Sequence, residues 1–161
     1  MSKTITVGIS DLNVVKAPDQ LVTYALGSCI GICLYDRVTK IAGMAHIMLP
    51  FSELAPGNNQ PYRYADTGIV ALIKRMEQMG ANAGRLQAKI AGGAQMFAAT
   101  SNSAISNIGH RNIMAVKLTL SKLRIPVIAD DTGSNYGRTI FFGAEDGALL
   151  VKSVNRGEKT I

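Results

Sequence analysis

Few residues in this chain could do covalent chemistry. It carries two cysteines, Cys29 and Cys33, and two histidines, His46 and His110. Cys29 ends the tripeptide Gly27-Ser28-Cys29, directly before the apolar run Ile30 to Tyr35. A thiol in a glycine-containing turn at the mouth of a strand can be exposed while its backbone stays rigid. Main-chain N–H groups in such a turn can also face a developing oxyanion. A free thiol titrates near 8.5, so at neutral pH it needs a base or a positive field to become a good nucleophile. The competing reading is a small buried hydrophobe, the usual fate of a free cysteine, and the tripeptide alone favours that reading. Cys33, boxed between Ile32 and Leu34, reads as core.

His46 lies within Met44-Ala45-His46-Ile47-Met48-Leu49, where an unpaired polar group would be costly. It is either a satisfied core histidine or a general base delivered by strand pairing. With Arg37-Val38 at the turn centre, Cys29 and His46 are equidistant from it and fall opposite each other. Thr23 could hold the imidazole through its hydroxyl or its main-chain carbonyl, although alone it is an ordinary strand threonine. The two cysteines do not suggest a disulfide: four residues apart on a strand, their Cα atoms lie about 13 Å from one another. Zinc would require both cysteines and both histidines to converge, which their spacing does not favour.

The elements that must position these residues follow from pattern and punctuation. Thr4 to Ile9 alternates as a half-buried strand, and Leu21 to Tyr24 follows the break at Pro18-Asp19-Gln20. Ile30 to Tyr35 and Ile41 to Leu49 read as an antiparallel pair joined by a polar turn that begins at Asp36-Arg37. Pro50 to Pro61 is a loop by composition, long enough to be a lid or binding loop, with Asn58, Asn59 and Gln60 available for contact. Asp66-Thr67 is expected to cap a helix with the face Ile69, Leu72, Ile73, Met76, stopping at Gly80. Leu86 to Ala91 is a strand closed by Gly92-Gly93. A second helix with Ile113, Val116, Leu120 and Leu123 on one face ends before Pro126. Val127 to Ala129 is a strand, and Thr139 to Phe142 with Leu149 to Val154 form a hairpin through Glu145-Asp146-Gly147. This order argues for an α/β chain of the α+β kind, a single domain over 1–161 with largely antiparallel sheets and flanking helices.

Composition narrows the function classes. At 161 residues with 47% hydrophobic and 17% charged residues, the chain can bury a core without staples. No apolar run approaches the ~20 residues of a membrane-spanning helix. Met1-Ser2-Lys3-Thr4 lacks the features of a signal peptide, so a cytoplasmic location is expected, without membrane insertion. The net charge of +6 raises nucleic acid as a partner. The basic residues are scattered, however, with no interleaved aromatic platform, and a solvated basic surface suited to an acidic protein fits better.

A set of motifs then becomes specific: Leu26-Gly27-Ser28-Cys29, Cys33-Leu34-Tyr35-Asp36 and Gly43-Met44-Ala45-His46-Ile47-Met48-Leu49-Pro50. They continue in Tyr64-Ala65-Asp66, Ala88-Lys89-Ile90-Ala91-Gly92-Gly93-Ala94-Gln95-Met96 and Ile108-Gly109-His110-Arg111-Asn112. Asp131-Thr132-Gly133 and Gly137-Arg138 close the series. Together they resemble CheD, the bacterial chemoreceptor glutamine deamidase family, in order and over nearly the whole chain. The resemblance implies a layered sandwich similar to the catalytic domain of deamidating bacterial toxins. It implies Cys29 as nucleophile, His46 as catalytic histidine and Thr23 as the third member of the triad, with no metal or organic cofactor. It implies glutamine in methyl-accepting chemotaxis receptors as substrate and a CheC-type phosphatase of CheY as partner. Ser134, where a second glycine is usual, and His110, where another polar residue is usual, depart from the pattern, and His110 is not read as catalytic. Other readings are a thiol peptidase or transglutaminase-like enzyme, or a regulatory binding module with weak catalysis.

Overall fold

The computed structural model describes residues 2–54, 60–96 and 107–161. In chain order the strands are β1 (Thr4–Thr6), β2 (Asp11–Lys16), β3 (Gln20–Leu26), β4 (Ile30–Asp36), β5 (Ile41–Ile47), β6 (Gln87–Gly92), β7 (Val127–Thr132), β8 (Arg138–Gly143), β9 (Leu149–Ser153) and β10 (Gly157–Thr160). Helix α1 (Ala65–Gln78) precedes β6, and α2 (Ile108–Lys122) precedes β7. One sheet has the order β1-β3-β8-β9-β10 and the other β2-β5-β4-β6-β7. Among the named strands of the described residues, β1 with β3 and β6 with β7 are the parallel pairs, so the expected α+β sandwich of largely antiparallel sheets is what forms.

The layers explain the run of apolar residues in β4. Ile30, Ile32 and Leu34 face the helices, packing with Ile69, Leu72 and Met76 of α1 and Val116 and Leu120 of α2. Cys33 and Tyr35 face the other sheet, with Met44, Leu26, Ile140, Phe142 and Val151. A strand covered on both faces has no solvent side, so every residue of β4 and of β5 is buried.

Several expectations are corrected. β4 and β5 close on the pair Asp36–Ile41, so His46 stands opposite Gly31, not opposite Cys29. The turn centre is one residue later than Arg37-Val38. Asp66 and Thr67 do not cap α1: Tyr64 holds the N-cap position without a side-chain bond. Asp66 instead receives the Ser52 N–H (3.1 Å) and hydroxyl (3.0 Å), tying the preceding segment to the helix. Short 3-10 turns at Ser52–Leu54 and Pro61–Arg63 occupy both ends of the stretch expected to be plain loop. Asn58 and Asn59 lie outside the described residues. Leu123 is exposed at the end of α2 rather than part of its apolar face. β2 and β10 were not expected from the sequence: β2 alternates weakly and β10 is short and polar, so neither carries a strong pattern.

Candidate active site

Thr23 and His46 meet between the two sheets, and Cys29 stands one residue before β4, whose Gly31 is opposite His46. Gly31, the partner of His46, faces the other sheet, since a Cβ there would meet Ile140 and Leu26. Cys29, two residues before Gly31, is half-buried and packs against the same inter-sheet core. Thr23 comes from the other sheet, paired with the inward-facing Ile140. Both Thr23 and His46 are fully buried.

Thr23 reaches the imidazole through its hydroxyl, with Oγ1 2.7 Å from His46 Nδ1 and 2.7 Å from the Val7 carbonyl oxygen. A hydroxyl has one hydrogen and a carbonyl can only accept, so that hydrogen goes to Val7. Nδ1 must then carry the ring hydrogen and donate it to Thr23. This fixes the tautomer and leaves the lone pair on Nε2, which is buried and has no hydrogen-bond partner among the described residues. Burial depresses the His46 pKa to about 4, keeping the ring neutral at physiological pH. Burial likewise raises the Cys29 thiol above its usual range, opposed by its own backbone N–H. The resting pair is a neutral thiol and a neutral imidazole.

The turn bearing Cys29 is held at each carbonyl. The Gly27 oxygen accepts from Ala94 N–H (2.8 Å) and the Cys29 oxygen from Gly93 N–H (2.8 Å). The Ser28 oxygen accepts from the Asn112 side-chain amide at 2.9 Å. In contrast, the N–H groups of Ser28 and Cys29 donate to no carbonyl among the described residues. Gly92 has φ +112°, and a Cβ there would run into the Cys29 carbonyl, so only glycine lets β6 approach this turn. Behind it, fully buried Arg138 donates through Nε to Asp131 (2.9 Å) and through Nη1 to the Gly133 carbonyl (3.0 Å). Ser134 has φ +60°, the left-handed region, which accounts for a glycine being at home there.

Cys33 is fully buried, and burial drives its thiol far above the ordinary range. His110 is exposed on α2, away from the other three. Beside Gly27 opens a groove of about 520 Å³ lined by Ala25, Met96, Tyr136 and Arg156 among others, with the Arg156 guanidinium 5.2 Å from the Tyr136 ring centre. Sequence reasoning assigned no role to Asn112 or Arg138. The available signal was a polar residue at the same i, i+4 spacing as Val116 and Leu120, which marks a polar group turned into a core.

A half-buried thiol, an imidazole with Nε2 unpaired and two backbone N–H groups that donate to no carbonyl, all among the described residues, are groups of the kinds that acyl transfer through a cysteine uses. On a two-sheet sandwich, they define the class as a candidate thiol hydrolase. Residues 48–153 match the family model described as CheD chemotactic sensory transduction. That stretch begins two residues after His46, so the full-length relatives carry the comparison across Thr23, Cys29 and His46. A Caldanaerobacter subterraneus protein named "Probable chemoreceptor glutamine deamidase CheD" is 54% identical over 99% of both chains. A Syntrophomonas wolfei protein of the same name is 53% identical over the whole of both. The Halalkalibacterium halodurans "Chemoreceptor glutamine deamidase CheD" is 48% identical, again over the whole of both. The chain belongs to the CheD family.

Proposed function

We propose that this chain deamidates glutamine side chains in chemotaxis receptors through an acyl-enzyme on Cys29. The observation that carries the reading is the imidazole held by Thr23, opposite Gly31 two residues after Cys29, with Nε2 buried and unpaired among the described residues. His46 Nε2 takes the thiol proton as sulfur attacks the carboxamide carbon. The N–H groups of Ser28 and Cys29 receive the tetrahedral oxyanion. The imidazolium, supported by Thr23, passes its proton to the departing nitrogen, ammonia leaves, and a thioester remains. Water, deprotonated by Nε2, attacks the thioester and releases glutamate and the thiol.

The groove beside Gly27 is where receptor residues flanking the target glutamine would lie, with Arg156 available to a carboxylate. A CheC-type phosphatase as a second partner follows from the family resemblance. Incubating a receptor fragment with the wild-type protein and with Cys29→Ala, and measuring ammonia release, tests the proposal. Release by wild type alone is expected. The same Cys29→Ala protein should still bind the phosphatase in titration calorimetry, since the substitution removes one half-buried sulfur.

A further inference from the structure

Asn112 sits on α2, fully buried, and both hydrogens of its side-chain amide are committed. One goes to the Ser28 carbonyl at 2.9 Å and the other to the Met48 carbonyl at 2.9 Å. Two carbonyls can only accept, so the amide orientation is not interchangeable: Nδ2 must face them. Its Oδ1 is buried without a partner among the described residues, a cost that a residue kept only for packing would not carry. The contacts join the turn bearing Cys29 to the residue that follows the His46 strand. Gly109, one turn earlier, allows this reach. A Cβ there would stand 2.5 Å from the Ala94 carbonyl oxygen and 2.6 Å from that of Gly93.

We propose that Asn112 is a positioning residue for the oxyanion site. The Ser28 C=O and the Cys29 N–H belong to one planar trans peptide and point in opposite directions. Fixing the carbonyl therefore fixes the direction of the N–H. A hydrogen bond accepted at the carbonyl also polarises the peptide and strengthens its N–H as a donor. Asn112 thus orients the donor that meets negative charge in the transition state, and the same amide holds the Met48 end of the base-bearing strand in register with it. This role rests on Cys29 being the nucleophile, and not on the substrate being a receptor.

Two reagents acting on the same thiol separate this role from general structural support. p-Nitrophenyl acetate acylates Cys29 through a tetrahedral oxyanion: sulfur bonds the acyl carbon and p-nitrophenolate leaves. Iodoacetamide alkylates it by direct displacement of iodide, with no oxyanion. Both rates are measured on the full chain as wild type, Asn112→Ala and Val116→Ala, the last a buried change one turn along α2 that lowers stability without touching the turn. Asn112→Ser, whose hydroxyl can serve one carbonyl, is the second variant should Asn112→Ala not fold. The expected result is a roughly ten- to hundredfold loss of acylation in Asn112→Ala, with alkylation little changed. Val116→Ala should keep the wild-type ratio. On a receptor fragment, the same loss should fall on kcat and leave KM in place. Parallel slowing of both reactions, or of neither, overturns the proposal. A wild type that is acylated normally but leaves receptor glutamine unmodified would instead refute the deamidase reading.

Discussion

The charge states of single residues set how this site can behave. A preformed thiolate–imidazolium pair would react with iodoacetamide at a rate nearly flat from mildly acidic pH upward. Here burial raises the Cys29 thiol and holds His46 down to about 4, so the rate should climb through the neutral range into the alkaline. A plateau beginning below pH 6 would contradict the neutral-pair description. Cys33, with no exposure, should react far more slowly in the folded protein. Thr23→Val keeps the shape but removes the acceptor for Nδ1–H. It should lower turnover by roughly 10²-fold, with Thr23→Ser recovering most of the loss. In the sequence each of Cys29, His46 and Thr23 had an ordinary structural reading, and only the family resemblance implied that they form a triad. What the sequence could not supply was the tautomer, because that depends on Val7, whose carbonyl takes the only hydroxyl hydrogen.

At the level of elements, pattern revealed the central strands and both helices, because β4, β5, α1 and α2 each carry strong apolar periodicity. It misplaced the β4–β5 register, since a single residue's shift of the turn centre moves His46 from Cys29 to Gly31, and no side chain in Arg37-Val38-Thr39 forces either choice. The slip displaces the pairing by two residues, so the position opposite His46 moves from Cys29, just before β4, to Gly31 within it. The packing of α2 against the Gly93-Ala94 carbonyls was invisible, being a contact between backbones. It yields a test: Gly109→Ala forces α2 away from those carbonyls and should cost roughly 1–3 kcal/mol in urea unfolding. Because the shift also withdraws Asn112, acylation of Cys29 should fall more than iodoacetamide alkylation does. A Gly109→Ala protein with wild-type stability would show that the helix adjusts without strain.

Across the whole molecule, acid stability reflects two buried groups on opposite sides of the argument about charge. His46 has a folded pKa of about 4 against an ordinary 6.5, so the unfolded chain binds its proton first. Its contribution is complete above about 6.5 and is lost as pH falls towards 4, on the order of 3 kcal/mol in all. Asp36 is buried and paired with Arg85 through two bonds, at 2.9 and 2.8 Å, and this pairing holds its carboxyl well below the usual range. Its contribution persists above about 3.9 and fades only below that. Urea midpoints should therefore decline between pH 6.5 and 4 in wild type, and the penalty of Asp36→Asn should shrink only below pH 4. With a net charge of +6, association with any acidic partner surface should slow as ionic strength rises. The most direct test of the central claim is mass spectrometry of a receptor fragment after incubation with wild type, Cys29→Ala and Cys33→Ala. The account predicts glutamine converted to glutamate by wild type and by Cys33→Ala, and none by Cys29→Ala. Conversion by Cys29→Ala at the wild-type rate would contradict it.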